Sequence, residues 1–280
     1  MDFLFVPSHN SIFDIPWALQ KMPMHKVELL NCSAFDPNCS NDTQNALLLE
    51  QLEKQHYDSV ISYLFIPSVS DACASKHIPY LSWTYDSPLT ALFTSSIFHN
   101  TNYTFIFDKK QCERLIAKGV PHIFHLPLAV NLERTGTLNI TSEDEMTFSH
   151  DISFIGSLYE NNTYNAFIQQ FPEYLQIKLK LYLMQNMCHW ESPRPWPDFP
   201  SECIDYLYNN CHISNWNQTS LMDDPTYFGL LFYPRKLAEL ERITVLNTLG
   251  NDFDVHLYTN SPSSYLQNIC VHSGVNYIPI

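Results

Sequence analysis

Short apolar runs alternate with helical patterns along the first half of the chain. The runs rich in β-branched and aromatic residues are typical of strands, and the segments between them repeat apolar residues at helical spacing. The predicted strands are Asp2–Val6, Lys26–Leu30, Asp58–Phe65, Tyr80–Trp83, Tyr103–Asp108 and His122–Leu126. The predicted helices are Phe13–Met22, Asp42–Tyr57, Val69–His77 and Lys110–Lys118. Such alternation predicts a doubly wound parallel sheet.

The pattern restarts after residues 131–150, a polar and acidic stretch without a clear period. We interpret that stretch as a linker or a crossing helix between a first domain, 1–130, and a second domain, 151–280. In the second domain, Asp151–Gly156 and Asp254–Tyr258 predict strands and Arg235–Leu249 predicts a helix that Gly250 ends. The segment from 161 to 228 predicts a partly helical insertion.

The last predicted strand, Val275–Ile280, has no turn or crossover after it. The second sheet then has three predicted strands, where a nucleotide-binding α/β domain usually has about five or six. We therefore expect the second domain to be incomplete, the natural protein to continue beyond Ile280, and the 280-residue chain to be inactive as an isolated enzyme.

The charge and the cysteines narrow the possible partners and the compartment. The formal net charge is -14, with 15 Lys+Arg against 29 Asp+Glu and no basic run, which argues against nucleic acid. The eight cysteines form no CxxC pair. No signal peptide or membrane span is visible, so we expect a cytoplasmic protein with reduced thiols. The oligomeric state stays open.

Polar and aromatic residues follow two strands at the edge where ligands bind in parallel sheets. Trp83, Tyr85, Asp86 and Ser87 follow the fourth strand. Their alternative reading is that Asp86 or Ser87 only caps a helix beginning at Pro88. His9 and Asn10, after the first strand, are either ligand contacts or loop residues.

The candidate ligand-binding residues of the second domain are glycine, serine and arginine residues at a strand end and on a helix. Gly156 and Ser157 follow a strand, so their backbone can approach a ligand closely, although a plain turn explains them equally. Arg235 and Arg242 are seven residues apart and share a helix face, which suits either a phosphate or a salt-bridged surface.

The cysteines and histidines of the irregular segment fit no standard zinc motif. The residues concerned are Cys188, His189, Cys203, Cys211 and His212. We interpret the cysteines as buried thiols and predict no metal site. The sequence also contains no P-loop, GxSxG elbow or GxGxxG fingerprint after the first strand.

Two runs resemble the bacterial CgeB-like glycosyltransferases and their associated N-terminal domain of unknown function. These runs are Tyr80–Leu89, which contains Trp-x-Tyr-Asp-Ser-Pro, and Asp151–Tyr159. The similarity continues through Phe105–Lys109, His125–Asn131 and the region from 235 to 259, in the order expected for the family.

The resemblance implies a GT-B-like architecture, with two Rossmann-like domains, and metal-independent sugar transfer to a protein, cell-envelope or spore acceptor. The N-terminal domain would hold the acceptor and the C-terminal domain a nucleotide-sugar, which acts as donor substrate rather than as a cofactor. Asp86 would be the base that deprotonates the acceptor. The implied acceptor side comprises His9, Asn10, Trp83, Tyr85 and Ser87, and the implied donor side comprises Gly156, Ser157, Tyr159, Arg235, Arg242 and Tyr258.

Two other functions remain open from the residues alone. The chain could be a non-catalytic module that binds a glycan or a partner. A phosphate-ester or nucleotide hydrolase is a weaker reading, because the sequence shows no metal-binding pair of carboxylates. The identity of the sugar, the acceptor and the stereochemical outcome are not encoded in these motifs.

Overall fold

The computed structural model describes residues 1–7, 14–30, 41–137, 139–187, 200–210, 233–260 and 265–273. The chain divides into two compact units, of which the first takes in Met1–Leu138 and the second begins at Asn139. Each unit contains one sheet in which every pair of neighbouring strands is parallel. The α/β class with two Rossmann-like, parallel-sheet domains is therefore confirmed.

The first unit is built on a six-stranded sheet in the order β2-β1-β3-β4-β5-β6. Its strands are β1 (Asp2–Val6), β2 (Lys26–Leu29), β3 (Ser59–Tyr63), β4 (Tyr80–Thr84), β5 (Asn102–Ile106) and β6 (Ile123–His125). Every residue of β3 is buried, because this strand lies between β1 and β4 and is covered on both faces.

Helices follow most strands of this sheet, and 3-10 turns join β4 to β5. The helices are α1 (Asp14–Gln20), α2 (Asn41–Lys54), α3 (Pro67–Lys76), α4 (Lys109–Ala117) and α5 (Leu132–Gly136), with 3-10 turns at Thr90–Phe93 and Ser95–Phe98. One sheet face packs against α1, where Phe5, Ile61 and Tyr63 contact Ile15 and Leu19. These apolar contacts fix α1 beside the carboxyl ends of β3 and β4.

A buried tyrosine closes the turn after β3. Tyr80 on β4 has no solvent exposure; its hydroxyl lies 2.6 Å from the Ser62 hydroxyl and accepts a 3.0 Å hydrogen bond from the Ile66 amide. Burial raises the pKa of Tyr80 far above its ordinary value, so the phenol stays neutral. This bond fixes the path of the chain from β3 into α3.

The second unit has a smaller sheet and more helix. Its strands are β7 (Ile152–Ile155), β8 (Val255–Tyr258) and β9 (Cys270–His272), in the order β7-β8-β9. Its helices are α6 (Ser142–Phe148), α7 (Thr163–Phe167), α8 (Glu173–Met187), α9 (Ser201–Asn210) and α10 (Pro234–Leu249). None of the helices in the described ranges carries an apolar stretch long enough to cross a bilayer.

The sequence predictions fail mainly where local signals were short. The stretch 131–150, which we interpreted as a linker or a crossing helix, contains two short helices, α5 and α6, and Thr141 is the N-cap of α6 in a capping box with Asp144. The third strand of the second sheet is Cys270–His272, which the sequence analysis did not predict. The predicted strand Val275–Ile280 lies outside the described residues.

We predict that Tyr80→Phe destabilises the protein by about 1–3 kcal/mol, because the Ile66 amide loses its buried partner. Urea denaturation followed by circular dichroism measures this loss. Tyr103→Phe, at an exposed ring on the neighbouring strand β5, is the matched control and should change stability by less than about 0.5 kcal/mol. Equal effects for the two variants would contradict the role given to the Tyr80 hydroxyl.

Candidate functional site

A cavity of about 780 Å³ opens in the first unit at the carboxyl edge of its sheet. Its walls come from α1, from the ends of β3 and β4, and from the segment that follows β6. The lining residues are Asp14, Ile15, Trp17, Ala18, Tyr63, Trp83, Tyr85 and 128–133. Trp83 and Tyr85, both predicted to contact a ligand, therefore line one cavity.

Aromatic rings form one continuous wall of this cavity. The ring centroids of Tyr63 and Trp83 are 6.4 Å apart, and the ring of Tyr85 meets that of Tyr63 edge to face at 5.8 Å. These spacings are typical of aromatic pairs that stabilise each other. The wall thus has a fixed shape before any ligand binds.

Polar contacts connect α1 to the aromatic wall and to the segment after β6. The Tyr63 hydroxyl accepts a 3.2 Å hydrogen bond from the Ile15 amide, and the Asn131 side-chain amide donates to the Asp14 carboxylate at 2.8 Å. Lys21 forms an ion pair with Glu133 and places its ammonium 3.6 Å from the centroid of the Trp17 ring. These contacts tie α1 to the segment after β6 and leave carboxylates in a mainly apolar cavity.

The indole nitrogen of Trp83 is an unusual donor in this wall. Its Nε1 is shielded from solvent and has no hydrogen-bond partner among the residues that the structure describes. A buried N–H without a partner costs about 1–3 kcal/mol, and such groups are commonly satisfied by a water or a ligand.

Asp86 and Ser87 lie outside the cavity lining, on the exposed loop after β4. The Ser87 hydroxyl donates to the Asp108 carboxylate, and the Asp86 carbonyl accepts a long 3.5 Å hydrogen bond from Gln111. The next helical turn begins at Thr90 with Leu89 as its N-cap. The alternative reading, that Asp86 or Ser87 caps a helix at Pro88, is therefore wrong.

The cap in this region is Asp108. Its carboxylate accepts hydrogen bonds from the Lys110 and Gln111 amides at the start of α4. Burial alone would raise the pKa of Asp108, but the bonds from Ser87 and from the two amides outweigh it and hold the pKa below its ordinary value. Asp108 is thus a structural anchor for the loop that contains Asp86. His9 and Asn10 lie outside the described residues.

The structure brings most of the predicted donor residues together in the second unit. The Gly156 amide donates to the Tyr258 carbonyl at 3.1 Å, which places the turn after β7 beside the end of β8. Gly156 has a φ of 153°, a backbone conformation that other residues rarely adopt. The turn predicted from the glycine is therefore present at a strand end.

Arg242 on α10 reaches this turn. Its guanidinium donates to the Ser157 carbonyl and lies 4.3 Å from the centroid of the Tyr159 ring. A side chain at Gly156 would also approach the Arg242 Nη1 at 3.9 Å. Gly156, Ser157, Tyr159 and Arg242 thus form one group of contacts, whereas Arg235 is exposed in the first turn of α10.

A buried carboxylate, which the sequence analysis did not identify, fixes α10 against the same loop. Glu239 is buried; it accepts hydrogen bonds from the side-chain amides of Asn162 and Asn165, at 2.7 and 2.9 Å, and from Lys236 at 2.7 Å. Asn162 also caps α7 and donates to the Tyr159 carbonyl. The Glu239 carboxylate therefore holds the loop that leads from Gly156 to α7.

Three histidines that the sequence analysis also missed lie together in the second unit. His150, His256 and His272 place ring nitrogens within 4.8 Å of one another. The sequence contains a pattern that could have indicated two of them, because β8 and β9 alternate polar and apolar residues as His256-Leu257-Tyr258 and Cys270-Val271-His272.

The cysteines of the irregular segment were predicted to be buried thiols. Cys203 is a buried thiol whose pKa burial raises to about 11, and Cys188 and Cys211 lie outside the described residues.

The comparisons with known proteins show only that the fold of this chain is similar to that of some solved structures. No family model matches the chain, and a search of curated proteins finds no significant match. The resemblance to CgeB-like glycosyltransferases therefore stays a prediction. Among solved structures, UDP-GlcNAc 2-epimerase from Neisseria meningitidis bound to UDP-GlcNAc aligns over 100% of this chain and 74% of its own, with 10% identity and a TM-score of 0.44. UDP-N-acetylglucosamine 2-epimerase from Rickettsia bellii aligns over 93% and 74%, with 11% identity and a TM-score of 0.39.

We predict that Glu239→Gln destabilises the protein by about 2–4 kcal/mol, because an amide replaces one of the acceptor oxygens and the Lys236 ammonium loses its charge partner. Denaturant unfolding measures the loss. Glu173→Gln, at an exposed glutamate in the first turn of α8, is the control and should leave stability within about 0.5 kcal/mol. If Glu239→Gln is as stable as the control variant, the Glu239 carboxylate does not hold the loop between Gly156 and α7.

Proposed function

We propose that this protein is a nucleotide-sugar enzyme of the glycosyltransferase type. In this proposal the first unit binds the acceptor and the second unit binds the donor. The acceptor is a glycan or a sugar-bearing protein or cell-envelope component. The observation that carries the proposal is the aromatic cavity at the carboxyl edge of the first sheet.

The chemistry of the cavity suits a sugar ring. The C–H groups on one face of a pyranose carry partial positive charge and pack well on the electron-rich faces of aromatic rings such as Trp83 and Tyr63. The hydroxyl groups need nearby acceptors and donors, which Asp14 and the Trp83 Nε1 offer. A mainly apolar pocket with a few converging polar groups is the usual form of a small-molecule site.

Two carboxylates compete for the role of the general base. Asp86 was predicted from the sequence, but its side chain is exposed and does not line the cavity. Asp14 lines the cavity and is oriented by Asn131. Because a base must be within hydrogen-bond reach of the hydroxyl that it deprotonates, the geometry favours Asp14.

In the proposed reaction, the base takes the proton of the acceptor hydroxyl as its oxygen attacks the anomeric carbon of the donor. The bond from that carbon to the diphosphate breaks, and the diphosphate leaves with the electron pair. Positive charge and N–H donors near the leaving group stabilise it. Arg242 fits this role, because a guanidinium has five N–H donors and its contact with Ser157 holds it beside the Gly156 turn.

A non-catalytic glycan-binding module is the second candidate, and the same cavity favours it. Both candidates require the cavity to bind sugar rings. They differ in the second unit, because only the enzyme requires the Gly156 turn and Arg242 to bind a nucleotide diphosphate. Sugar binding without nucleotide binding or turnover would therefore favour the module.

We predict that glycans with accessible pyranose rings quench the tryptophan fluorescence of the protein. Trp17 and Trp83 both line the cavity, so a bound ring changes their environment directly. Trp83→Ala should weaken binding at least tenfold, which corresponds to about 1.4 kcal/mol. Trp83→Phe retains an aromatic face without the indole N–H and should lose less. Quenching that is unchanged in Trp83→Ala would place the ligand elsewhere.

We predict that Asp14→Asn lowers sugar transfer by the protein by about 10²–10⁴-fold, because a general base contributes that much. Release of UDP, GDP or dTDP from a panel of nucleotide-sugars, with acceptor present, measures the rate. Asp86→Asn is the matched variant and should retain most of the activity. A large loss of activity in Asp86→Asn with little loss in Asp14→Asn would identify Asp86 as the base instead. No turnover with any of the donors would contradict the proposal that the protein is an enzyme.

We predict that Arg242→Lys weakens binding of nucleotide diphosphates about tenfold, because lysine cannot make the paired contacts of a guanidinium. Calorimetric titration with UDP, GDP and dTDP measures the affinity. Arg235→Lys tests the exposed arginine of the same helix, which should contribute less. Diphosphate affinity that both variants leave intact would contradict the proposed donor site.

A further inference from the structure

We infer that His150, His256, His272 and Cys270 form a tetrahedral binding site for a transition-metal ion of the zinc class. The inference concerns the second unit alone and does not depend on the proposed sugar transfer. Imidazole and thiolate are the ligands that Zn²⁺ prefers in proteins. The four residues come from three separate stretches of the sequence, which the parallel sheet brings together.

The register of the second sheet explains how three of the residues meet. His256 on β8 is paired with Cys270 on β9, and Tyr258 is paired with His272. Side chains alternate between the two faces of a strand, so His256, Cys270 and His272 point to the same face. The opposite face is apolar, with Val255 and Leu257 in the hydrophobic core.

The fourth ligand comes from the segment just before β7. The imidazole of His150 stacks on that of His256 and lies nearly parallel to that of His272, so it must turn out of the stack to direct a nitrogen at an ion that the other two bind. His150 and His256 have side chains that are only 9% and 14% exposed. A metal held here would therefore be partly shielded from water, which strengthens its bonds to the ligands.

The three histidine nitrogens lie within 4.8 Å of one another, whereas the Cys270 Sγ lies close to His272 and would move toward the other two to complete a tetrahedral set. Bonds of about 2.0–2.1 Å to nitrogen and about 2.3 Å to sulfur place a nitrogen and a sulfur about 3.5 Å apart around a tetrahedral ion, and two nitrogens about 3.3 Å apart. The Cys270 Sγ lies 3.6 Å from the His272 Nε2. The His272 Nε2 lies 2.8 Å from the His256 Nδ1, a hydrogen-bond distance that an ion would widen by about half an ångström.

Asp254 supplies the outer contacts that such sites require. Its carboxylate lies 3.2 Å from the His256 Nε2 and 3.5 Å from the His150 Nδ1. The nitrogens left for an ion are the His256 Nδ1 and the His150 Nε2, and an ion would displace the Tyr258 hydroxyl, which lies 3.0 Å from the His150 Nε2. A carboxylate on the second nitrogen fixes the orientation of metal-binding histidines and makes them better ligands.

An ion at this site would cross-link the whole sheet of the second unit. His150 precedes β7, His256 lies on β8, and Cys270 and His272 lie on β9. Within the described ranges this sheet has three strands, and β9 has only three residues, so the pairing seen there stabilises it weakly. Four protein ligands leave no open position, which is the form of a structural rather than a catalytic zinc site.

Metal titration of the untagged full chain after treatment with EDTA tests the inference. We expect one equivalent of Zn²⁺ to bind and to raise the midpoint of thermal unfolding, because an ion that binds only the folded state stabilises it. Co²⁺ should give the visible d–d bands of a tetrahedral complex and a thiolate-to-cobalt charge-transfer band in the near ultraviolet. No binding, or an octahedral cobalt spectrum, would overturn the inference.

Variants on β9 test the ligands one at a time. His272→Ala should weaken zinc binding at least tenfold, and Cys270→Ser should remove the charge-transfer band. His125→Ala, at an exposed histidine of the first unit, is the matched control and should change neither property. Circular dichroism of each metal-free variant establishes that it is folded. A folded His272→Ala protein with wild-type zinc affinity would contradict the site, and a charge-transfer band that survives in Cys270→Ser would exclude Cys270.

Discussion

Parallel pairing of the strands determines where chemistry can occur in this protein. A parallel sheet needs a crossover after each strand, and right-handed crossovers bring the carboxyl ends of all strands to one edge. At that edge of the first sheet, the ends of β3 and β4 place Tyr63, Trp83 and Tyr85 side by side. At that edge of the second sheet, the Gly156 amide meets the Tyr258 carbonyl.

The helices give these edges their fixed geometry. In the first unit, α1 packs on the sheet through Ile15 and donates a backbone amide to Tyr63, so the cavity wall and the sheet form one body. In the second unit, α10 holds the loop after β7 at two points, through Glu239 and through Arg242. Both contacts join residues that are distant in sequence, and both are charged groups paired with amides or carbonyls. Glu239 is buried, and such pairing is needed where a charge is removed from water.

The strands of the first unit could be predicted from the sequence because each is an apolar, β-branched or aromatic run between turn residues. The edge residues Trp83 and Tyr85 followed from that pattern and from the rule for parallel sheets. Asp14 could not be identified, because its position in the cavity depends on how α1 packs. The same holds for Glu239, which resembles any helical glutamate until its partners Asn162 and Asn165 are known.

The features that could not be predicted from the sequence are mainly short strands and clusters of residues that are distant in sequence. Strand β9 has three residues, of which only Val271 is strongly apolar, and this is too little for a periodicity signal. The histidine cluster combines residues before β7, on β8 and on β9, so no local spacing encodes it. The spacing of neighbouring cysteines carries no information about this cluster, whereas the alternation of side chains along the paired strands β8 and β9 does. A period of two within paired strands can therefore reveal a site that short motifs miss.

The most direct test of the account is a crystal structure of the protein with a nucleotide-sugar and a glycan acceptor. The account predicts a pyranose ring against Trp83 and Tyr63, with a hydroxyl in reach of Asp14, and a diphosphate at the Gly156 turn beside Arg242. Ligand density at the amino-terminal edges of the sheets, or density that contacts neither Trp83 nor Arg242, would contradict it.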